Sequence, residues 1–429
     1  MDSNSNSNSN SNSNSNNNKI TVEFGRVSKE FEVIKSPLPH ILIESNKELH
    51  GWWNGIEPDG NRECTSEKLL INPYNGCSHN CLFCYSHALG GYFRLFREQG
   101  VVTVFKDFDK KVARQLDSIR VASCGYLSPV TDPFQPINGK YELSEKIIKQ
   151  FVDRNIPVQF TTKGRISDAA LKLIKKQEHS FGEVSIITLD EDKRQRLMAG
   201  GAPTDELLRN IERLVNEDKF AVCRIDPIIP FVTDDREELE ELVRAVVEAG
   251  AEHIITSCMD VPRAMKYEIY EELEKRFGSE IPKLKMKLEG LYSEVISGRF
   301  HADIEYRRKL FRTMREICDR NNVTMGLCME FESLGGKKLR GLNKEFMSPN
   351  SNNCEGIDVP IYVRIGDGKR FEPVPGCDGN CLKCHFSNDD KEPVCGISDL
   401  KKAGAWRLSD YRRWSRNLFQ TSLGERKWK

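Results

Sequence analysis

Three cysteines in one short segment are the residues of this chain best suited to chemistry. Cys77, Cys81 and Cys84 are spaced C-x3-C-x2-C within the segment NGCSHNCLFCYSHA. A [4Fe–4S] cube normally takes four protein thiolates, so three thiolates would leave one iron free to bind a substrate or cofactor directly. The alternative is a structural zinc ion, which takes four protein ligands and would need His79 or His87 as the fourth. The compact spacing favours one iron–sulfur cluster.

A second group of cysteines lies near the C-terminus, in the segments PGCDGNCLKCHF and EPVCG. Its spacing is C-x3-C-x2-C-x10-C, and its members are Cys377, Cys381, Cys384 and Cys395. Four thiolates form a closed site that suits zinc or an auxiliary iron–sulfur cluster. His385 or Cys354 could replace one of these ligands. We favour a second [4Fe–4S] cluster over zinc, and either metal centre over four unrelated thiols.

The composition limits the classes of protein to which these sites belong. The chain has 429 residues, 14 cysteines, 38% hydrophobic residues and a net charge of zero. It has no apolar run of about eighteen residues, and it begins with a polar repeat instead of a secretory signal. We therefore expect a cytoplasmic protein with reduced cysteines and no membrane span. A neutral chain argues against nucleic-acid binding driven by overall charge.

Alternating strand and helix patterns must position the first cysteine group. Apolar runs predict seven strands, in KLLINPY, IRVASCGYLSP, IPVQFTTK, EVSIITLD, FAVCRIDPIIP, AEHIITSC and VTMGLCME. Between most of them, apolar residues recur at intervals of three and four, which is typical of amphipathic helices. Ser144 is a candidate N-cap of one helix, and Gly250 a candidate C-terminal residue of another. The alternation predicts an α/β fold, a partial or full (β/α) barrel with parallel strands and helical crossovers.

The conspicuous polar residues fall at the carboxyl ends of the predicted strands, where barrels of this kind carry their chemistry. In chain order they are residues 77–84, residues 128–132, Lys163, Asp190 and Asp226. We therefore expect these side chains to meet at one end of the barrel.

Four regions are predicted along the chain. They are a disordered Ser/Asn repeat at residues 1–18, an N-terminal extension at 19–65, the barrel at 66–345, and a small Cys-rich metal-binding domain with a basic aromatic tail at 346–429. From Ser398 onward the tail has nine Lys or Arg residues and three Asp or Glu residues, interleaved with aromatic residues. That pattern suits single-stranded nucleic acid. We favour instead an amphipathic helix, capped by Ser409, whose aromatic residues dock on the barrel.

The first cysteine group and its surroundings resemble the radical S-adenosylmethionine superfamily. The resemblance rests on the C-x3-C-x2-C spacing with an aromatic residue, Phe83, before the last cysteine, and it covers roughly residues 69–330. Within the superfamily the chain looks most like the branch related to spore photoproduct lyase, a DNA repair enzyme. The motifs are NPYNGCSHNCLFCYSHA, SPVTDPFQP, FTTKGR, ITLDED, GGAPTDELLRNIERL and RIDPIIP. The second cysteine group is not expected in that lyase.

The resemblance implies a reaction and places for its cofactors. One electron from the cluster would cleave S-adenosylmethionine to methionine and a 5′-deoxyadenosyl radical, which abstracts hydrogen from a substrate. Phe83 would pack near the adenine. Ser128, Thr131 and Asp132 would lie near the methionine amino group, and Lys163 near the carboxylate. The simpler interpretations are a turn with its cap at residues 131–133 and a solvated lysine at 163.

Two further residues gain a role from the resemblance. Asp226 would line the cofactor pocket, unless residues 226–230 are simply a strand exit shaped by two prolines. Cys124 stands near the place of the cysteine with which spore photoproduct lyase returns a hydrogen atom to the product radical. The alternative for Cys124 is an ordinary buried strand cysteine.

Three functions follow as hypotheses. The first is a radical enzyme that repairs or modifies a nucleic-acid base, which would have to leave a duplex to react. The second is radical modification of a peptide, protein or small metabolite with the help of an auxiliary C-terminal cluster. The third is a zinc-binding interaction protein without enzymatic activity. Either enzyme would need a low-potential electron donor such as ferredoxin or flavodoxin.

Overall fold

A computed structural model describes most of the chain. The described residues are 19–24, 27–51, 68–336, 338–351, 353–364, 366, 368–381, 384, 393–401 and 406–420. The predicted Ser/Asn repeat at residues 1–18 and the possible ligand His385 lie outside these described residues.

Strands and helices alternate along the chain, as the sequence predicts. The strands are β1 (Lys19–Phe24), β2 (Val27–Glu32), β3 (His40–Glu44), β4 (His50–Gly51), β5 (Lys68–Ile71), β6 (Tyr74–Asn75), β7 (Val102–Lys106), β8 (Val121–Ala122), β9 (Cys124–Leu127), β10 (Val158–Thr162), β11 (Phe181–Ser185), β12 (Ala221–Ile228), β13 (His253–Cys258), β14 (Val261–Pro262), β15 (Glu294–Ile296), β16 (Arg299–His301), β17 (Thr324–Leu327), β18 (Phe331–Ser333), β19 (Leu339–Gly341), β20 (Tyr362–Arg364) and β21 (Phe371–Pro373). The helices are α1 (Tyr92–Gln99), α2 (Phe108–Asp117), α3 (Asn138–Tyr141), α4 (Leu143–Val152), α5 (Asp168–Ile174), α6 (Glu191–Leu197), α7 (Thr204–Asn216), α8 (Arg236–Glu248), α9 (Lys266–Phe277), α10 (Leu284–Leu291), α11 (Ile304–Arg320), α12 (Asn343–Phe346) and α13 (Leu408–Gln420).

Eight strands form the central sheet, in the order β17-β13-β12-β11-β10-β9-β5-β4. The seven strands from β17 to β5 are parallel, and β4 adds an antiparallel edge beside β5. Within the described residues the end strands β17 and β4 do not pair with each other, so the sheet stays open. The predicted α/β fold is confirmed, and the barrel is partial.

Helices cover the outer face of this sheet because their apolar stripes need burial. α4 packs against β9 and β10, and α7 against β11 and β12. Gly125 of β9 permits the close approach of α4, since an added Cβ would lie 2.6 Å from Cε1 of Phe151. None of the described helices is both long enough and apolar enough to cross a membrane.

The two predicted helix ends have different outcomes. Gly250 follows α8 with a φ of +100°, a left-handed conformation that suits glycine, so that prediction is confirmed. The predicted N-cap Ser144 is wrong, because α4 already begins at Leu143. The Ser144 hydroxyl instead donates to the carbonyl of Pro133 at 2.6 Å, a contact across a loop that the helix pattern could not indicate.

The described part of the N-terminal extension is integrated into the barrel edge. β3 pairs in parallel with β7, whose other side pairs with β6, just before the first cysteine group. β4 extends the central sheet itself. Residues 52–67 of this region, including Trp52 and Trp53, lie outside the described residues.

The C-terminal region closes the amino-terminal end of the barrel, which we call the floor. β20 pairs with β8 directly before β9, and the carbonyl of Cys354 lies 3.0 Å from Nε2 of His253, the first residue of β13. Glu355 then reaches Lys68, the first residue of β5, in a buried ion pair of 2.7 Å. Burial alone would lower the pKa of Lys68, but the Glu355 carboxylate outweighs burial and raises it.

Helix α13 docks its aromatic residues on this floor, as the preferred interpretation of the tail predicts. Tyr411 and Trp414 are buried, and the Trp414 ring packs against those of Tyr411 and Trp406. These three aromatic residues are therefore occupied in packing. The predicted cap Ser409 is wrong, because the helix begins at Leu408 and Ser409 lies inside its first turn.

The Lys68–Glu355 pair provides a test of the floor. In Glu355→Ala, the Lys68 ammonium stays buried without its carboxylate, and we expect the free energy of unfolding to fall by about 3–5 kcal/mol. Urea denaturation of the metal-loaded protein measures the loss. Glu30→Ala is the control, because its pair with Lys19 has side chains that are 66% and 70% exposed, so little change is expected. Equal effects of the two substitutions would contradict this account.

Candidate active site

The first cysteine group lies on a loop at the carboxyl ends of the strands, which we call the mouth of the barrel. The amide of Gln135 holds this loop from the exit of β9: its Oε1 accepts from the Ser78 N–H at 3.1 Å and its Nε2 donates to the Gly76 carbonyl at 3.2 Å. On the other side Leu82 N–H donates to the carbonyl of Leu197 at 3.0 Å. The loop is thereby anchored to the exit of β9 and to the end of α6.

Glycine at position 200 lets the chain after α6 pass directly under this loop. A Cβ there would lie 2.2 Å from the Ser78 carbonyl oxygen, closer than any side chain tolerates. The Gly200 N–H donates to the His79 carbonyl at 3.2 Å. The motif GGAP therefore shapes the cysteine loop from below.

The three thiols share one environment. Cys81 is buried, and Cys77 and Cys84 are half-buried. Burial raises the pKa of Cys81 to about 12, and the neighbouring Cys84 adds to the increase while Lys163 opposes it. Burial also raises the pKa of Cys77, with further contributions from Asp132, Cys81 and Cys84. Thiolates here need positive charge nearby, which a bound metal centre would supply.

Asp132 joins the cysteine loop to two strand exits. Its Oδ1 accepts from the Phe134 N–H at 2.8 Å and from the Thr162 hydroxyl at 2.9 Å, and its Oδ2 accepts from the Lys163 N–H at 2.6 Å. Nδ1 of His79 lies 3.2 Å from Oδ2. Burial works to raise the pKa of Asp132, but His79 and the N–H donors outweigh it and hold the pKa below its usual value.

Two of the other predicted cofactor residues, Phe83 and Lys163, meet at the same place. The Lys163 ammonium lies 5.9 Å from the centroid of the Phe83 ring, directly before Cys84 in the chain. Arg224 does most to hold the pKa of Asp226 below its usual value, and Lys163 adds a smaller effect. A cation and an aromatic face therefore lie beside the three thiols, and Asp132 supplies a carboxylate near Cys77 and Cys81. This donor set fits a cluster with a charged ligand that carries an amine, a carboxylate and an aromatic base.

Ser128 presents a buried hydroxyl without a partner among the described residues. Its backbone has a φ of +59°, unusual for serine, and its N–H donates to the Ile71 carbonyl at 2.6 Å. Nearby, Oδ1 of Asn72 accepts from the Val130 N–H at 3.2 Å and is 3.5 Å from the Thr131 hydroxyl. Thr131 therefore belongs to the loop scaffold, whereas the Ser128 hydroxyl is free for a ligand.

Sequence reasoning missed a network of charged residues that lines the inner face of the sheet, which we call the lumen. Glu183 of β11 accepts from the Thr161 hydroxyl at 2.6 Å and from Nη1 of Arg224 at 3.0 Å. Arg224 also contacts Asp226, which accepts from the Ser257 hydroxyl. Single charges at alternate positions of apolar strands are the sequence signal that could have identified this network.

The network continues from the mouth to the floor. Nε2 of Gln159 donates to Glu355 at 2.8 Å and to Glu183 at 3.4 Å, and so links the two carboxylates. Burial raises the pKa of Glu183, and Arg224 opposes the increase. Each carboxylate of the lumen therefore has a cation or a neutral hydrogen-bond donor beside it, so none is buried without a partner.

Tyr85, directly after Cys84, was also missed. Its hydroxyl donates to the Pro129 carbonyl at 2.8 Å, and its ring lies 4.8 Å from the Arg299 guanidinium. Arg299 in turn donates to both oxygens of Asp260, at 2.8 and 2.7 Å. These contacts tie the end of the cysteine loop to the exits of β9 and β13.

Cys124 lies away from this assembly, at the opposite end of its strand. It is the first residue of β9 and pairs in register with Lys68, whereas Ser128 follows the last residue. Its thiol is only 2% exposed, and burial raises its pKa to about 12. The four residues of β9 span about 13 Å. The predicted role of Cys124 as a hydrogen-atom donor stays a prediction.

The four C-terminal cysteines come together at the floor. Cys377, Cys381, Cys384 and Cys395 all line one cavity of about 20 Å³. The Ile361 N–H points at Sγ of Cys377 at 3.3 Å. Since Ile361 directly precedes β20, this group lies at the amino-terminal ends of the strands, opposite the mouth.

The described side chains of the two thiol groups do not form a preassembled site for a single metal ion. In the part of the chain that the structure describes, no set of three or more His, Cys, Asp or Glu side chains is arranged to hold one metal ion. Zinc would require its sulfurs about 2.3 Å from a common centre. His79, a possible fourth zinc ligand at the mouth, is engaged with Asp132.

Comparison with known families and proteins shows what this chain is similar to. Residues 71–246 match the model of the Radical SAM superfamily. A protein of Pseudomonas phage M6 named "Radical SAM Nalpha-GlyT isomerase" is 27% identical over 388 residues, which are 88% of this chain and 78% of that protein. An uncharacterized protein of Mycobacterium tuberculosis is 25% identical over 198 residues, 43% of this chain and 56% of that protein.

Solved structures with a similar chain trace include spore photoproduct lyase and SuiB of Streptococcus suis. The lyase with bound AdoMet and dinucleoside spore photoproduct has a TM-score of 0.49 and 15% identity, over 66% of this chain and 79% of that chain. SuiB bound to S-adenosylmethionine has a TM-score of 0.39 and 13% identity, over 61% of this chain and 50% of that chain.

Asp132 generates a prediction about stability and pH. Asp132→Asn removes a buried charge that several N–H groups stabilise, so we expect the free energy of unfolding at pH 7 to fall by about 3 kcal/mol. Because the folded-state pKa is lowered, the contribution is present above the unfolded pKa of about 3.9 and disappears as the pH falls through the folded value. The difference between the variant and wild type should therefore shrink below about pH 4.

Denaturation at a series of pH values measures this difference. Asp235→Asn is the matched control: Asp235 caps α8 by accepting from the Glu237 and Glu238 N–H groups, and asparagine caps helices equally well. A loss in Asp132→Asn no greater than that in the control would refute the anchoring role of Asp132.

Proposed function

This chain is a radical S-adenosylmethionine enzyme, and on that premise we propose that Cys77, Cys81 and Cys84 hold a [4Fe–4S] cluster whose free iron binds S-adenosylmethionine at the mouth. When bound, these groups and one electron from a donor break the C5′–S bond to give methionine and a 5′-deoxyadenosyl radical, which takes a hydrogen atom from substrate carbon. The convergence of Lys163, Phe83 and the three thiols is the observation that carries this proposal.

The residues around the thiols would hold the cofactor in one orientation. Lys163 offers its ammonium to the methionine carboxylate, and the partnerless hydroxyl of Ser128 offers a hydrogen bond to the amino group. Phe83 offers an apolar face to the adenine. Asp132 would act indirectly: its carboxylate accepts from the backbone N–H of Lys163 and so positions that residue. Asp226 lies closer to the lumen and orients Arg224.

The lumen would hold the substrate below the cofactor. Its carboxylates and its guanidinium already have hydrogen-bonding partners, so a charged substrate group would have to displace one of them. An uncharged polar group, such as a nucleobase or an amide, can exchange hydrogen bonds with Glu183, Arg224 and Tyr126, whose hydroxyl lies 3.1 Å from that of Thr161, without that penalty. Buried polar walls also exclude water, which protects a carbon radical.

We propose that the reaction is an isomerisation of a modified nucleobase, the first of the predicted substrate classes. The support is the phage relative whose name specifies an isomerase, since the similarity extends over 88% of this chain. In an isomerisation, hydrogen abstraction is followed by rearrangement and hydrogen return, so no net oxidant is consumed. Ferredoxin or flavodoxin is the proposed electron donor. Return of the hydrogen by Cys124 would require a substrate that extends down the lumen toward the floor. The thiyl radical left on Cys124 would then take one electron from the same donor and one proton to restore the thiol.

The four C-terminal cysteines would hold a second [4Fe–4S] cluster with a closed ligand set. All four cysteines line one cavity, as the ligands of one shared metal centre would. Strands of four to eight residues separate this group from the mouth, a distance of about 13–26 Å. A cluster there would stabilise the floor; contact with the reacting atoms is not part of its proposed role.

The ligand assignment at the mouth predicts the effect of single substitutions. Cys77→Ala, Cys81→Ala and Cys84→Ala should each abolish formation of 5′-deoxyadenosine, because each removes one of three cluster ligands. Chromatography of anaerobic reactions with dithionite measures the product. Cys318→Ala is the control, since Cys318 is a buried helix residue outside both groups, and it should keep the activity. Formation of 5′-deoxyadenosine by any of the three variants would refute the assignment.

The second site predicts a metal count. Reconstituted wild-type protein should contain about eight iron atoms per chain, and Cys377→Ala or Cys384→Ala about four. Iron and zinc are measured together by plasma mass spectrometry, with Cys318→Ala again as the control. A wild-type chain with about four iron atoms and one zinc ion, which is lost in Cys377→Ala, would establish zinc instead.

A further inference from the structure

A second cavity lies beside the mouth, at the open edge of the sheet. Its volume is about 380 Å³, within the range of small-ligand sites. It is separate from the thiol groups and from the lumen network. Its lining residues are Asn46, Lys47, Glu48, Leu49, His50, Leu70, Ile71, Asn72, Phe108 and Arg407.

Lys47 is a half-buried cation in this lining without a carboxylate partner among the described residues. Its ammonium donates to Oδ1 of Asn75 at 2.8 Å and lies 4.4 Å from the centroid of the Phe105 ring. Burial lowers the pKa of Lys47 to about 8. Such a group costs free energy unless an anion accompanies it.

Two further basic side chains share the cavity. His50 has a pKa lowered first by burial, and the charges of Arg407 and Lys47 lower it further, so both cations lie close to this ring. Arg407 makes no ion pair with any described residue, and its backbone bridges directly to that of His50. Glu48 is the one carboxylate in the lining, and it is exposed. The cavity therefore has an excess of positive charge.

The rest of the cavity is apolar and rigidly held. Leu49, Leu70, Ile71 and Phe108 are buried in its wall. The segment that carries Lys47 is pinned to α2, because Lys111 donates to the Ser45 carbonyl at 2.6 Å and Oε1 of Gln115 accepts from the Leu49 N–H at 2.8 Å. A cationic side and an apolar side fit an amphiphilic anion better than a small inorganic ion.

The cavity is also connected to the proposed cofactor loop. Asn72 lines the cavity, and its Oδ1 accepts from the Val130 N–H at 3.2 Å. Asn75, the partner of Lys47, stands two residues before Cys77. A ligand in the cavity therefore lies next to the mouth and could belong to the same substrate as the group in the lumen.

We propose that this cavity binds the phosphate and sugar of a nucleotide unit, with Lys47 and Arg407 facing the phosphate and Phe108 with its apolar neighbours facing the sugar. The inference deepens the proposed function, on which it rests for the link to a nucleic-acid substrate. The phosphate could come from a free nucleotide or from a nucleic-acid strand, because both present the same chemistry to the two cations.

Binding is measured anaerobically with the reconstituted holoenzyme and no reductant, so that no turnover is required. The probes are thymidine monophosphate, thymidine and a fluorescent single-stranded 12-mer of DNA. We expect thymidine monophosphate or the 12-mer to bind at least about tenfold more tightly than thymidine, since the phosphate supplies the charge. Lys47→Met and Arg407→Gln should each weaken binding of the phosphate-bearing probe by about tenfold or more. Each should also reduce the salt dependence of that binding by about one charge.

Matched controls distinguish the loss of a charge in this cavity from the loss of a charge elsewhere on the surface. Lys172→Met and Arg312→Gln remove the same charges from exposed positions on α5 and α11, and should leave binding unchanged. Arg407 is exposed, so Arg407→Gln tests the proposal even if Lys47→Met disturbs folding. Preference for the mononucleotide would indicate a free nucleotide, and preference for the 12-mer a strand.

Equal binding of thymidine and its monophosphate, or wild-type affinity in Arg407→Gln and in a folded Lys47→Met, would overturn the inference. The proposed function would fail in a different way. In that case the holoenzyme would form no 5′-deoxyadenosine with dithionite, whatever its affinity for these probes.

Discussion

The buried carboxylate of Asp132 is the constraint on which the mouth of this barrel depends. One side chain binds the exit of β9, the exit of β10 and, through His79, the loop of the three thiols. Backbone N–H groups and His79 keep the carboxylate ionised despite its burial. The carboxylate that binds the Lys163 backbone therefore also holds the cysteine loop to the sheet, so the stability of the mouth and the position of Lys163 have a common origin.

Buried polar contacts also link the strands along the lumen, from the mouth to the floor. An open sheet leaves the inner face of its strands in need of cover, and residues 353–357 supply it from the far end of the chain. Glu355 enters the barrel with this cover and pairs with Lys68. A chain of polar contacts then links it through Gln159 to Glu183 and Arg224. The C-terminal region is thus part of the barrel, and Sγ of its Cys377 accepts from the Ile361 N–H, six residues after Glu355.

The two thiol groups therefore occupy opposite ends of one fold and suit different roles. The group at the mouth has three cysteines beside a cation, an aromatic ring and a free hydroxyl, which suits a centre with an open ligand position. The group at the floor has four cysteines around one cavity, which suits a closed centre. A basic cavity lies beside the mouth, separate from both thiol groups.

The sequence by itself determined the thiol spacing, the strand–helix alternation and the family, because these are encoded in local periodicity and in motifs within single loops. It also identified Phe83, Lys163 and Asp132 as neighbours of the mouth. Tertiary structure alone decided that Asp132 is an anchor, that Ser144 binds a loop carbonyl, and that Glu355 enters the barrel. Each of these depends on a contact with a residue distant in the chain or outside its own element, and such pairings leave no periodic signal in the sequence.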